Sequence, residues 1–198
     1  NSVVGGGQSN TSSGLFATVG GGQFNSANNI NATVGGGSNN NASATSSTVG
    51  GGNDNTASGI FATVGGGSTN LATGNNSTIG GGATNTAAGD QSTIGGGDNN
   101  TATADFSTVV GGRGNDATVT AIDATIGGGN SNTASGSLTT IGGGQDNVTS
   151  GFFSTIGGGR RNTTSNSGAT IAGGQDNIAS GQNSAVSGGD LNNAIGEN

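Results

Sequence analysis

The chain has 198 residues, of which 46 are Gly, and it contains no Cys, His, Lys, Met, Pro, Trp or Tyr. Without His and Cys it lacks the residues of a Ser-His-Asp triad, a thiolate zinc site or a disulfide framework. Three Arg and a net charge of −7 argue against a nucleic-acid binder, and no apolar stretch approaches the length of a membrane span. We therefore expect a non-enzymatic protein with no metal, no cofactor, no nucleic-acid partner and no membrane span.

A Gly-Gly-Gly triplet begins at Gly5 and recurs every 15 residues as far as Gly95. The next copy is Val110-Gly111-Gly112; a 17-residue step follows it, and the 15-residue period then resumes. Such a fixed period is the signature of a repeat architecture. The sequence predicts one repeat array over residues 1–198, with thirteen copies and one irregular 17-residue coil at about residues 110–126.

Two positions of the repeat are occupied uniformly. The residue before the triplet is Val or Ile in every copy: Val4, Val19, Val34, Val49, Val64, Ile79, Ile94, Val109, Ile126, Ile141, Ile156, Ile171 and Val186. The third residue after the triplet is always Asn: Asn10, Asn25, Asn40, Asn55, Asn70, Asn85, Asn100, Asn115, Asn132, Asn147, Asn162, Asn177 and Asn192. We expect the first column to point inward and the second to form a ladder of hydrogen-bonded amides.

The unit is too short for a pair of helices, and its glycines and β-branched Thr-Val/Ile pairs oppose helix formation. Two strands of ~5 residues joined by two turns would make one coil of a β-solenoid. The predicted fold is therefore an all-β parallel solenoid, or β-roll, of about thirteen 15-residue coils.

Burial within one such chain is thin, because each coil supplies one Val or Ile and one small residue to the interior. Five of the six Phe residues fall in two columns at a turn: Phe16, Phe61, Phe106, Phe152 and Phe153. We expect these rings to contact another chain; filling the corner of their own coil is the alternative.

Three local features suggest chemistry but have simpler explanations. Gly111–Asp116 matches the core of a calcium-binding nonapeptide repeat, but that site needs tandem copies at a different period. Arg160-Arg161 is the one basic cluster and is expected to be a solubilising surface pair, with an anionic glycan or a neighbouring carboxylate as the alternative. The insertion near Thr118–Asp123 is expected to be a bulged turn, with a ligand-binding or partner-binding loop as the alternative.

Segments such as Asn1–Gly6, Asn76–Gly81 and Asn183–Gly188 resemble the head repeats of YadA-like trimeric autotransporter adhesins, and similar repeats occur in phage tail fibres and trimeric shafts. The resemblance implies a left-handed β-roll, a parallel homotrimer and attachment of a bacterium to a surface. The expected function is thus an extracellular adhesin head or appendage shaft on a bacterial cell surface. Its partners would be other copies of the chain and a host matrix protein, a glycan or an abiotic surface.

The repeat pattern is also compatible with two alternative functions. Both termini lie in the same phase of the repeat, which suggests head-to-tail stacking into a self-assembling filament or a tail-fibre shaft. An ice-binding protein is the other alternative, because a Thr column would stack hydroxyls at a regular spacing. Segments such as Thr56-Ala57-Ser58 would add a second hydroxyl face, but Leu71, Val148 and Ile178 interrupt it.

Overall fold

A computed structural model describes residues 1–196. The chain divides into two compact units, Asn1–Asn99 and Asn100–Asn198, of which the second is described as far as residue 196. Each unit is a parallel β-solenoid, and the described residues contain no helix. The described coils number thirteen, one for each repeat. The predicted all-β parallel solenoid is confirmed.

Every strand has two residues. Unit 1 contains β1 (Val3–Val4), β2 (Thr11–Ser12), β3 (Thr18–Val19), β4 (Ser26–Ala27), β5 (Thr33–Val34), β6 (Asn41–Ala42), β7 (Thr48–Val49), β8 (Thr56–Ala57), β9 (Thr63–Val64), β10 (Leu71–Ala72), β11 (Thr78–Ile79), β12 (Thr86–Ala87) and β13 (Thr93–Ile94). Unit 2 contains β14 (Thr101–Ala102), β15 (Thr108–Val109), β16 (Asp116–Ala117), β17 (Thr125–Ile126), β18 (Thr133–Ala134), β19 (Thr140–Ile141), β20 (Val148–Thr149), β21 (Thr155–Ile156), β22 (Thr163–Thr164), β23 (Thr170–Ile171), β24 (Ile178–Ala179), β25 (Ala185–Val186) and β26 (Asn193–Ala194).

Within each unit the strands form two parallel sheets. The odd-numbered strands, which carry the Thr-Val/Ile pairs, make the first sheet, and the even-numbered strands make the second. Each strand pairs with the strand one coil further on, so that Thr18 lies opposite Thr33 and Ala27 opposite Ala42. Like residues therefore stack on like residues in most coils of the first sheet and on the inward side of the second.

The strands are shorter than predicted. A single bridging residue, such as Gln23 opposite Ser38, adds a third short β contact between the two strands of most coils. Left-handed backbone at Phe24, Asn31 and Gly22 interrupts the extended chain between these contacts, and this limits each strand to two residues. The expectation of two strands of ~5 residues was wrong for this reason.

The interior of each unit is lined by small and β-branched side chains. Of the Val/Ile column, twelve members are buried, while Val4 in the first coil is 46% exposed. The Ala column of the second sheet is buried against them, as Ala42 and Ala57 illustrate. A third buried column, which sequence reasoning missed, precedes the Thr of the first sheet and contains Ala32 and Ser47.

The Asn column is a buried hydrogen-bond ladder. The Nδ2 of Asn55 donates to Gly51 O at 3.0 Å and to Gly67 O, one coil on, at 2.9 Å. Its Oδ1 accepts the backbone N–H of Asn70 at 3.0 Å. Eleven of the thirteen Asn are buried, whereas Asn10 is half-buried and Asn192 is exposed. The amide therefore satisfies backbone groups that the glycine-rich turn leaves without strand partners.

The 17-residue coil keeps both sheets in register. Thr108 lies opposite Thr125, and Asn132 N still donates to Asn115 Oδ1 at 3.0 Å. The extra residues form an exposed turn in which the Val119 side chain is 73% exposed. Thr120 Oγ1 donates to the carbonyl of Ser135 at 2.8 Å and ties this turn to the next coil.

Candidate binding surfaces

The outward side of the first sheet carries an almost uniform Thr column. Its members are Thr18, Thr33, Thr48, Thr63, Thr78 and Thr93 in unit 1, and Thr108, Thr125, Thr140, Thr155 and Thr170 in unit 2. Adjacent strands stand about 4.8 Å apart, so the hydroxyls repeat at that spacing. Within the described residues only Thr170 uses its hydroxyl in a hydrogen bond to protein, a long one of 3.5 Å to Gly168 O. The other ten hydroxyls are available to a ligand or to solvent.

The glycine triplet beside the Thr column contains positions with different structural requirements. The third Gly has φ between +86° and +96° in every coil. A Cβ on Gly52, for example, would clash with Gly67 O and lie 2.7 Å from Asn55 Nδ2. The fold therefore requires Gly at this position.

The middle Gly is not explained in the same way. A Cβ on Gly21 would meet nothing within 4 Å, and one on Gly51 would make only an ordinary 3.8 Å contact with Gly36 O. Both have φ outside the left-handed region. The middle position is nevertheless Gly in all thirteen copies, whereas the first position is replaced by Val110, Ala172 and Ser187. The sequence shows that the middle position is always Gly and the first is not. Only the structure shows that a Cβ would fit at middle glycines such as Gly21 and Gly51.

We call the Thr column and the adjacent middle glycines the Thr–Gly face. Strand alternation points Thr outward and the following Val or Ile inward; the first Gly of the triplet comes next in most copies, and the middle Gly follows it. The face carries no charged side chain, and large side chains are rare on it. It offers regularly spaced hydroxyls to a ligand or surface that approaches it.

The outward side of the second sheet is less regular. Leu71, Asp116, Val148 and Ile178 occupy positions where other coils have Thr, Ser or Asn. Several of its hydroxyls are also engaged by the next coil. Thr103 Oγ1 donates to Ala117 O, and Ser135 Oγ to Thr149 O, each at 3.1 Å. The second hydroxyl face considered for ice binding is therefore interrupted and partly used for inter-coil bonding.

The predicted contact residues Phe16, Phe61, Phe106, Phe152 and Phe153 lie at one turn of their coils. Their rings are 48–58% exposed, so they do not fill the interior of their own coil. Phe152 and Phe153 contact each other edge to face, with ring centroids 4.2 Å apart. Leu15, Ile30, Ile60, Ile122 and Leu138 lie at the same turn and are 39–52% exposed. We call this set of residues the Phe corner.

Charged residues cluster at the opposite turn of unit 2. Arg161 makes two hydrogen bonds of 2.5 Å to the Asp176 carboxylate in the next coil, and Arg160 donates to Gln175 Oε1 at 2.8 Å. The hydrogen bond from Arg161 lowers the pKa of Asp176 to about 2. Both arginines are thus engaged by side chains of the next coil. Asn115 of the Gly111–Asp116 match is likewise engaged by the fold, donating to Gly111 O at 2.9 Å.

Replacing Arg161 by Gln is expected to raise the pKa of Asp176 from about 2 toward its ordinary value of 3.8. Because the folded-state pKa is depressed, the pair stabilises the fold fully above pH 3.8 and loses this effect as the pH falls through about 2. NMR titration of the Asp176 carboxyl checks the shift. Arg113→Gln is the control and should leave the Asp176 midpoint near 2; an unchanged midpoint in R161Q would refute the assignment.

No protein-family model and no curated protein sequence matches this chain. No helix in residues 1–196 is long and apolar enough to cross a membrane. The same residues contain no pocket of ligand size.

Proposed function

We propose that this protein is a non-enzymatic extracellular adhesive or structural repeat protein, an adhesin head or an appendage shaft that attaches a bacterial cell to a surface. The observation that carries the proposal is the Thr–Gly face, which presents the same uncharged groups coil after coil. Repetition converts many weak contacts into strong attachment on an extended surface, because each new contact is made at high effective concentration. A parallel, left-handed homotrimer and a filament or tail-fibre shaft belong to the same proposal.

The chemistry of the face favours a neutral, hydroxyl-bearing surface such as a glycan over an acidic or basic one. Thr hydroxyls both donate to and accept from other hydroxyl groups, and the face has no charge with which to select an ion. Electrostatic attraction is screened by salt, whereas contacts of this kind are not. Attachment through this face should therefore be insensitive to salt.

The proposal is tested by adsorption of the purified protein to films of a neutral glycan, a matrix protein and polystyrene. We expect adsorption to the glycan film, with unchanged affinity between low and high salt. The triple change Thr48→Tyr, Thr63→Tyr and Thr78→Tyr should weaken it at least tenfold, because each ring holds the face away from the surface. Tyr is well accepted in strands, so folding should persist.

The matched control carries three Tyr substitutions on the second sheet, Thr56→Tyr, Thr86→Tyr and Thr101→Tyr. Because these residues lie away from the Thr–Gly face, adsorption should stay within about twofold of the wild-type value. Equal losses in the two triple variants would reject the assignment of the face. Adsorption to none of the three films would count against attachment as the function.

Ice binding is a second candidate, and the same face favours it. Ten Thr hydroxyls make no hydrogen bond to protein, and they lie in one in-register column in each unit beside the middle glycines. This arrangement suits an ordered layer of water molecules. Thermal hysteresis of the wild-type protein, abolished by Thr63→Tyr and retained in Thr56→Tyr, would establish this candidate. Glycan adsorption without hysteresis would exclude it in favour of the adhesive function.

A further inference from the structure

The four Phe residues at the second position of the Phe corner occupy an unfavourable backbone conformation. Phe16, Phe61, Phe106 and Phe153 have φ between +57° and +60°, a region that bulky residues rarely adopt. Other coils fill this position with residues that accept it readily, such as Asn31, Asn76 and Gly168 in their respective coils. Backbone strain combined with an exposed ring is a feature associated with functional positions.

These Phe residues also recur with a period of their own. Phe16, Phe61 and Phe106 are separated by 45 residues, and Phe153 follows after 47 because of the 17-residue coil. Each interval is therefore three coils. Within a unit, three coils at about 4.8 Å each set the Phe residues roughly 14 Å apart. The intervening coils place smaller side chains such as Ser46 or Asn76 at this position.

We infer that the Phe corner is a contact surface for a second copy of this chain, with these four Phe residues as its anchors. A second copy carries the same three-coil spacing within each of its units, so the Phe rings of two corresponding units meet when these units lie side by side. A partner of another kind would need a matching ~14 Å repeat along its length. Aromatic residues that lose solvent on association are the side chains most often found as anchors.

The exposed area suits such a contact. Five apolar side chains in each unit, about half exposed, present roughly 100 Å² each. Each unit therefore supplies more than half of the roughly 800 Å² per partner that a stable interface buries. The contact deepens the proposed function, since parallel association of adhesive chains would multiply the Thr–Gly faces that one assembly presents.

The test is the mass of the full chain in solution, measured by light scattering over a range of concentrations. The wild-type chain should have a multiple of its single-chain mass of 18.3 kDa. The variant with Phe16, Phe61, Phe106 and Phe153 all replaced by Asn should have the single-chain mass. Its folding should be retained because Asn occupies the same position in other coils, and circular dichroism checks this. Phe61→Asn alone should raise the dissociation constant about tenfold.

Phe24→Asn is the matched control, because Phe24 is also 53% exposed with φ of +57° but lies at the other turn. It should leave the mass unchanged. A wild-type mass of 18.3 kDa at every concentration, or an unchanged mass in the folded fourfold variant, would overturn the inference. Either result with glycan adsorption intact leaves attachment through the Thr–Gly face standing, whereas association without adsorption to any film rejects attachment and leaves the Phe contact standing.

Discussion

Replacing Gly52 by Ala is expected to lower the free energy of unfolding by about 3 kcal/mol or more. The new Cβ would clash with Gly67 O, and the Ala residue would have to adopt φ of +91°. Both problems involve backbone atoms of a stacked coil, which cannot move aside without breaking the inter-coil hydrogen bonds. Denaturant unfolding followed by circular dichroism measures the loss.

Gly51→Ala is the matched control, one residue away in the same triplet. Its Cβ would make an ordinary 3.8 Å contact, and φ there is not left-handed. We expect a stability within about 0.5 kcal/mol of wild type, or a slight gain, because Ala restricts the unfolded chain. If the adhesive face depends on the middle glycines, the same variant should adsorb more weakly. Similar destabilisation by both substitutions would contradict the distinction between the two positions.

Replacing Asn70 by Asp should destabilise the protein by about 3–5 kcal/mol at neutral pH. The change removes the Nδ2 that donates to Gly66 O at 3.0 Å and to Gly82 O at 2.9 Å. A buried carboxylate oxygen would then face two carbonyl oxygens, and the pKa of the new carboxyl would rise above its unfolded value. Because the folded-state pKa is raised, the loss should shrink as the pH is lowered toward 4.

Asn76→Asp provides the comparison, because Asn76 is exposed at the Phe corner and Asp123 occupies the same position in another coil. It should change stability by less than about 0.5 kcal/mol. The measurement is the unfolding free energy of both variants at neutral and mildly acidic pH. A destabilisation by N70D that does not depend on pH would contradict a buried, fully bonded amide column.

The fold was predictable because each repeat column has one physical role. Val or Ile before the triplet and Asn after it recur in every copy, and in a stacked coil each must lie above its own kind. Strand length was not predictable, since nothing in a Gly-Gly-Gly run tells which glycine bends the chain. The structure assigns that role to the third Gly, where φ is positive in every coil. It leaves room for a Cβ at middle glycines such as Gly21 and Gly51, whereas φ of +145° to +156° favours Gly at Gly6, Gly128 and Gly188.

The candidate surfaces were only partly visible in the sequence. The Thr column was evident, but the freedom of its hydroxyls depends on the turn geometry that directs neighbouring carbonyls toward Asn side chains instead. Left-handed backbone at Phe61 could not be inferred, because aromatic residues seldom adopt it. The three-coil spacing of Phe, in contrast, was present in the residue numbers alone.

The measurement that tests the central claim most directly is the protection of each face when the protein is bound to a surface. The chain has no cysteine, so Thr63→Cys places one thiol on the Thr–Gly face and Thr56→Cys places one on the second sheet. On glycan-bound protein, maleimide labelling should slow at least tenfold for Thr63→Cys and stay near the rate of free protein for Thr56→Cys. Equal rates at the two positions, or protection of the second sheet alone, would contradict the claim that this protein attaches through its Thr–Gly face.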